Sequence, residues 1–112
     1  IETNDNYIYR KLGGIRVKGK KEPITSYELI CRKEDVTEKI KTMIGFFEEA
    51  QSLYLKQKWD EAIKVFNKSN EYENMFDGRK TNPSLTYISI CKEFKEEEPG
   101  DDWDGVYTFK QK

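Results

Sequence analysis

The sequence predicts an α+β fold, an N-terminal antiparallel β-hairpin followed by three helices, and three observations carry that reading. Apolar residues alternate at period two between Tyr7 and Cys31. From Val36 onward they recur at steps of three and four. The charged pair Arg32-Lys33 stands where one period gives way to the other, so two parts are expected, 1–33 and 34–112.

In the first part Ile15 and Val17, then Tyr27, Leu29 and Cys31, set the alternation of two strands. Gly13-Gly14 interrupts the first run. The segment Lys18-Gly19-Lys20-Lys21-Glu22-Pro23 joins charge to glycine and proline, the chemistry of a hairpin connection. A lone hairpin has an unburied face and two open edges, so this one needs a partner surface, supplied by the helices or by another chain.

The first helix is expected to open with Asp35 as cap and Glu38 as its third-position partner. Val36, Ile40, Met43, Phe47, Ala50 and Tyr54 then lay one apolar stripe along a helix of about 20 residues, widened by Ile44, Phe46 and Leu53. That spacing also fits the seam of a coiled coil. The seam is short, and a second helix opening at Trp59, with Ala62, Ile63 and Phe66 on one face, offers an intramolecular cover. The polar break Lys56-Gln57-Lys58 predicts that this pair is antiparallel. Asn82-Pro83 reads as a cap with proline at the first helical position of a third helix, whose apolar side is Tyr87, Ile88, Cys91 and Phe94 and which ends at Pro99-Gly100. The aromatic tail Asp101 to Tyr107 is expected to fold back onto the helices through Trp103 or Tyr107.

Composition narrows the function. The chain has 112 residues, enough for one small domain or for part of one joined to a second compact unit. Hydrophobic residues make up 36% and charged residues 37%, polar for a globular protein but with 13% aromatics from which to build a core. No run approaches the roughly 18 to 20 apolar residues that cross a bilayer, and no secretory leader opens the chain, so a cytoplasmic, reduced setting is expected for Cys31 and Cys91. The opening Ile1, in place of an initiator methionine, predicts a piece of a longer protein. Two isolated cysteines and no histidine make no zinc set. The acidic run Glu96 to Asp104 lacks the acids an EF-hand loop requires, since Gly100 and Gln111 fall where ligands should stand. A basic hairpin bearing Tyr7, Tyr9 and Tyr27 invites comparison with nucleic-acid surfaces, but a net charge of −1 argues against that partner.

The run Tyr9-Arg10-Lys11-Leu12-Gly13-Gly14-Ile15-Arg16-Val17-Lys18-Gly19-Lys20, with Glu22-Pro23-Ile24 and Tyr27-Glu28-Leu29, resembles the closing strands of class III adenylate/guanylate cyclase domains. Further on, Phe47-Glu48-Glu49-Ala50, Tyr54 and Trp59-Asp60-Glu61-Ala62-Ile63-Lys64-Val65-Phe66 resemble one tetratricopeptide-type helix pair. Bacterial cyclases often carry such a tail, followed by an Asp-Gly turn, a helix with a cysteine, a proline and an Asp-Trp-Asp-Gly-Val ending. The order Asp77-Gly78, Cys91, Pro99, Asp102-Trp103-Asp104-Gly105-Val106 is similar.

The resemblance implies that 1–33 is the terminal hairpin of a catalytic domain and 34–112 a tetratricopeptide-like appendage with a capping third helix. It implies a parent enzyme that turns a nucleoside triphosphate into a 3′,5′-cyclic nucleotide and pyrophosphate with Mg²⁺ or Mn²⁺ held by upstream aspartates. The fragment itself would hold no cofactor or metal and would be inactive. One nucleotide-contacting position transfers: Lys18 resembles the lysine that reaches the terminal phosphates, and beside it Gly19 admits close backbone approach. The plainer account of Lys18 is a solvated turn lysine. Implied partners are the remainder of its own cyclase domain, a second copy in a homodimer, or a protein bound by the helices, with no nucleic acid and no membrane contact by this segment, though the parent could be membrane-anchored. The competing expectation is a stand-alone helical interaction module.

Overall fold

The structure, a computed structural model, describes residues 6–16, 24–73 and 82–108. Strands β1 (Tyr7–Arg16) and β2 (Ile24–Arg32) are followed by helices α1 (Glu38–Leu55), α2 (Trp59–Asn70) and α3 (Pro83–Glu96) and by a short strand β3 (Tyr107–Thr108). The α+β arrangement of a hairpin and three helices is therefore present, with one strand more than the alternation announced. The chain divides into two compact units, parted at Val36/Thr37 and at Gly100/Asp101. Tail and hairpin thus share a unit, where the sequence placed 34–112 together and the tail against the helices.

In the strand unit β1 pairs antiparallel with β2 and parallel with β3, in the order β2-β1-β3. Two irregularities shape the ladder. Cys31 faces Ile8 while Leu29 faces Tyr9, so Ile30 is an extra residue on β2; Lys11 faces Tyr27 while Gly13 faces Ser26, so Leu12 is extra on β1. Gly13 has φ 101°, backbone that an L side chain adopts only under strain. The Ile30 bulge also corrects a sequence expectation. Tyr27, Leu29 and Cys31 do not share a face, because the inserted residue turns Cys31 to the side opposite Leu29. Tyr7, Tyr9 and Lys11 share one face with Arg32, Leu29 and Tyr27; Ile8 and Arg10 share the other with Cys31 and Glu28. Before β3, the Asp104 carboxylate accepts from Val106 N (3.1 Å) and Trp103 Nε1 donates to Val106 O (2.9 Å), a turn that aims the tail at β1. A Cβ at Gly14 would lie 3.2 Å from Val106 Cγ2, so glycine there allows the close approach.

The helical unit opens differently from its expected cap. Lys33–Asp35 form a short 3₁₀ turn and Val36 is extended, which moves the helix start to Glu38 and makes Thr37 the cap, its hydroxyl accepting from Ile40 N at 3.2 Å. At the other end of α1, Gln57 sits at φ 62°; its N–H reaches Tyr54 O (2.9 Å) and the Lys58 N–H reaches Leu53 O (3.0 Å), the two bonds of a Schellman cap. Glycine is the usual residue at such a φ. Gln57 gains a compensating bond, since its Nε2 donates to Gly100 O at 2.8 Å. Asn82 caps α3 through Leu85 N (3.1 Å) with Pro83 in the first turn, as the sequence announced.

Ring contacts fix the helix directions. Tyr54 meets Trp59 beside the α1–α2 break and Phe47 meets Phe66 two turns away, so residues receding from the break on α1 meet residues receding from it on α2. Trp59 with Phe94, Phe66 with Tyr87 and Ser69 with Ser84 repeat the relation for α2 and α3. Both neighbouring pairs are antiparallel. Four of the six stripe residues are consumed inside the chain: Met43, Phe47, Ala50 and Tyr54 are buried with Trp59, Ala62, Val65, Phe66, Tyr87, Ile88 and Cys91, whereas Ile40 is half-buried and Val36 precedes α1. The coiled-coil use of that seam is not taken. Among the described residues no helix is long and apolar enough to cross a membrane.

Candidate functional site

The residue singled out for phosphate contact, Lys18, and its neighbour Gly19 lie outside the described residues. The backbone that frames them is described. β1 and β2 remain paired to Ile15↔Ile24, so 17–23 joins two antiparallel strands whose ends are held side by side. Next along the ladder, Gly14 faces Thr25 and the bulged Gly13 faces Ser26. Period-two alternation and a turn-rich connection therefore located the framework correctly.

Deeper in this unit lies a feature that the sequence reading did not single out. Arg10 and Glu28 are cross-strand partners, and Arg10 points Nε (2.9 Å) and Nη2 (2.5 Å) at the same Glu28 oxygen. The Arg10 side chain is wholly covered, that of Glu28 largely so. A guanidinium loses hydration when it is buried, and here charge-assisted bonds to a facing carboxylate offset that loss. Opposite charges at facing strand positions were visible in the sequence, but only the two bulges reveal which residues face each other.

The helical unit has its own polar cluster. Ser69 near the end of α2 and Ser84 at the start of α3 are buried and 2.8 Å apart, and the Ser84 hydroxyl donates to the buried Glu73 carboxylate at 2.6 Å. With Ser84's proton committed to Glu73, Ser69 donates to Ser84. Asn82 Nδ2 donates to Asn70 Oδ1 at 2.7 Å alongside. These bonds tie the two ends of the α2–α3 connection, and each serves the packing of the helices. They present no nucleophile to solvent.

The thiols are similarly quiet. Burial pushes the Cys91 thiol up to about 12, so it is protonated and unreactive at neutral pH. Cys31 is also raised, by burial and then by the nearby Asp35 charge. Among the described residues no group of three or more His, Cys, Asp or Glu is placed to hold a metal ion. What the strand unit does offer is a ladder ending at a basic connection, and an exposed face bearing Tyr27 and Leu29. Set against protein-family models, curated proteins and solved structures, the chain matches none of them.

Proposed function

We propose that the chain is the C-terminal part of a class III nucleotidyl cyclase, whose parent enzyme converts a nucleoside triphosphate to a 3′,5′-cyclic nucleotide and pyrophosphate, and that it catalyses nothing alone. The observation that carries the reading is the ordered resemblance from Tyr9 to Leu29, with Lys18-Gly19-Lys20 between two strands. The burial pattern of the strand unit supports it. Of the residues there whose burial is described, Arg10 alone is buried, as befits strands completed by a larger sheet. In this reading Lys18 is the chain's contribution to the active site, a cation on a connection anchored by both strands, set against the terminal phosphates. The Mg²⁺ or Mn²⁺ of the parent, which would neutralise triphosphate charge, belongs to residues outside this chain. The helices are a tetratricopeptide-like extension with a structural or regulatory role.

The stand-alone interaction module is the second reading, favoured by the self-contained aromatic core of the helical unit. Cyclase assays with ATP and GTP, each with Mg²⁺ and Mn²⁺, decide between them when this chain is compared with a protein extended upstream through the whole catalytic domain. The expected result is activity in the extended protein only, reduced on the order of a hundredfold by Lys18→Ala. An extended protein inactive with both nucleotides and both metals hands the lead to the module.

A further inference from the structure

The outer edge of β2 and the face beside it combine three properties. Among the described strands β2 pairs only with β1, so its other side is an edge of the described sheet. Its face bears apolar side chains where isolated edges usually bear charge: Leu29 is 56% exposed and Tyr27 37%. Beyond the Ile30 bulge, Arg32 and Lys33 line a shallow depression with Asn6, Tyr7 and Glu34. The Arg32–Glu34 contact there, 3.2 Å between two solvent-exposed side chains, is of the weak surface kind that a ligand carboxylate can displace.

We propose that this edge accepts an extended peptide as an added strand, apolar at the alternate positions beside Tyr27 and Leu29 and acidic where it reaches Arg32 and Lys33. Backbone hydrogen bonds along β2 supply affinity irrespective of sequence, the Tyr27–Leu29 face selects the apolar positions, and the cations at the strand end fix direction. A nucleic acid fits less well. It could stack on Tyr27, but it has no use for a row of peptide N–H and C=O groups, and the face offers few cations against many phosphates. This proposal concerns the chain's own surface and does not rest on the cyclase reading.

The test is an NMR titration of the isotopically labelled 112-residue chain with a short peptide of alternating valine and threonine ending in two glutamates. Saturable shifts of the β2 amides are expected, with affinity lowered about tenfold by Leu29→Asp and about fivefold by Arg32→Glu. Should Leu29→Asp disturb the fold, Arg32→Glu carries the test, because replacing the peptide's terminal glutamates by lysines must then restore binding to that variant. Equal binding of glutamate- and lysine-ended peptides to the unaltered chain overturns the proposal. So does preferential binding of oligothymidylate at the same residues, or sedimentation showing that β2 pairs with a second copy of itself.

Discussion

The two units solve burial in opposite ways. Residues on all three helices of the helical unit fill one aromatic interior, in which Phe47 meets Phe66 and Tyr87 edge-on at ring separations of 5.5 and 5.6 Å. Among the described residues of the strand unit the buried side chain is a guanidinium, and its neighbouring tyrosines and leucine stay partly or largely in water. Apolar burial at about 25 cal/mol per Å² is what offsets chain entropy. The helical unit is therefore built to stand by its own contacts, whereas among the described residues of the strand unit Arg10 alone is buried. The difference places structural autonomy in the helices, and it is the strands to which the proposals above assign recognition.

The largest expected effect tests the helical half. Phe47 is fully buried and contacts rings from both other helices, so Phe47→Ala removes packing that cannot collapse without moving α2 or α3. Its cost should be about 3–5 kcal/mol, read as a lower denaturant midpoint of the helical signal. A cost below about 1 kcal/mol would show that the aromatic interior is loosely packed and would erase the contrast between units.

The two cysteines report the same contrast at intermediate scale. Cys31 is half-buried in β2 and Cys91 fully buried in α3. A thiol reagent should modify Cys31 in the folded chain and Cys91 only after the helices open, giving two phases of which only the slower is abolished by Cys91→Ala. The raised Cys91 value adds a pH signature. A thiol whose folded value, about 12, lies above its ordinary 9.0 keeps its proton better when folded, so its stabilisation is complete below about pH 9 and is lost as pH climbs toward 12. The slope is at most about 1.4 kcal/mol per pH unit. Loss of that alkaline slope in Cys91→Ala would attribute it to the thiol; an unchanged slope would assign it elsewhere.

How far the sequence reveals this molecule follows from the range of each interaction. Trp59 opening α2 and Asn82-Pro83 opening α3 are local signals, and the structure has both. Asp35 and Thr37 are each plausible caps two residues apart, and only the 3₁₀ turn of Lys33–Asp35 selects Thr37. The bulges at Leu12 and Ile30 arise from cross-strand register, so period-two counting through Tyr27, Leu29 and Cys31 put Cys31 on the wrong face. β3 was invisible, because the parallel pairing of Tyr107 with Ile15 joins distant parts of the sequence and two residues carry no alternation of their own. Within the candidate site, Lys18 is legible by resemblance alone, whereas the Arg10–Glu28 pair becomes legible once the register is known.

The smallest expected effects are the sharpest, because one substitution should have opposite signs in the two units. Gly13 holds φ 101° at the β1 bulge, where a methyl group strains the backbone, so Gly13→Ala should cost about 1 kcal/mol or more. Gly45 lies inside α1, exposed, with open space where a Cβ would stand. Glycine there leaves the unfolded chain needlessly free, and Gly45→Ala should stabilise α1 by about 0.5–1 kcal/mol. Urea titrations followed at strand and helix amides separate the two responses. Equal signs would mean that the β1 bulge relaxes around a side chain, and with it the register that sets Arg10 opposite Glu28. Opposite signs would show that glycine is required by the strand ladder and merely tolerated by the helix, which locates the conformational constraint in the strand unit.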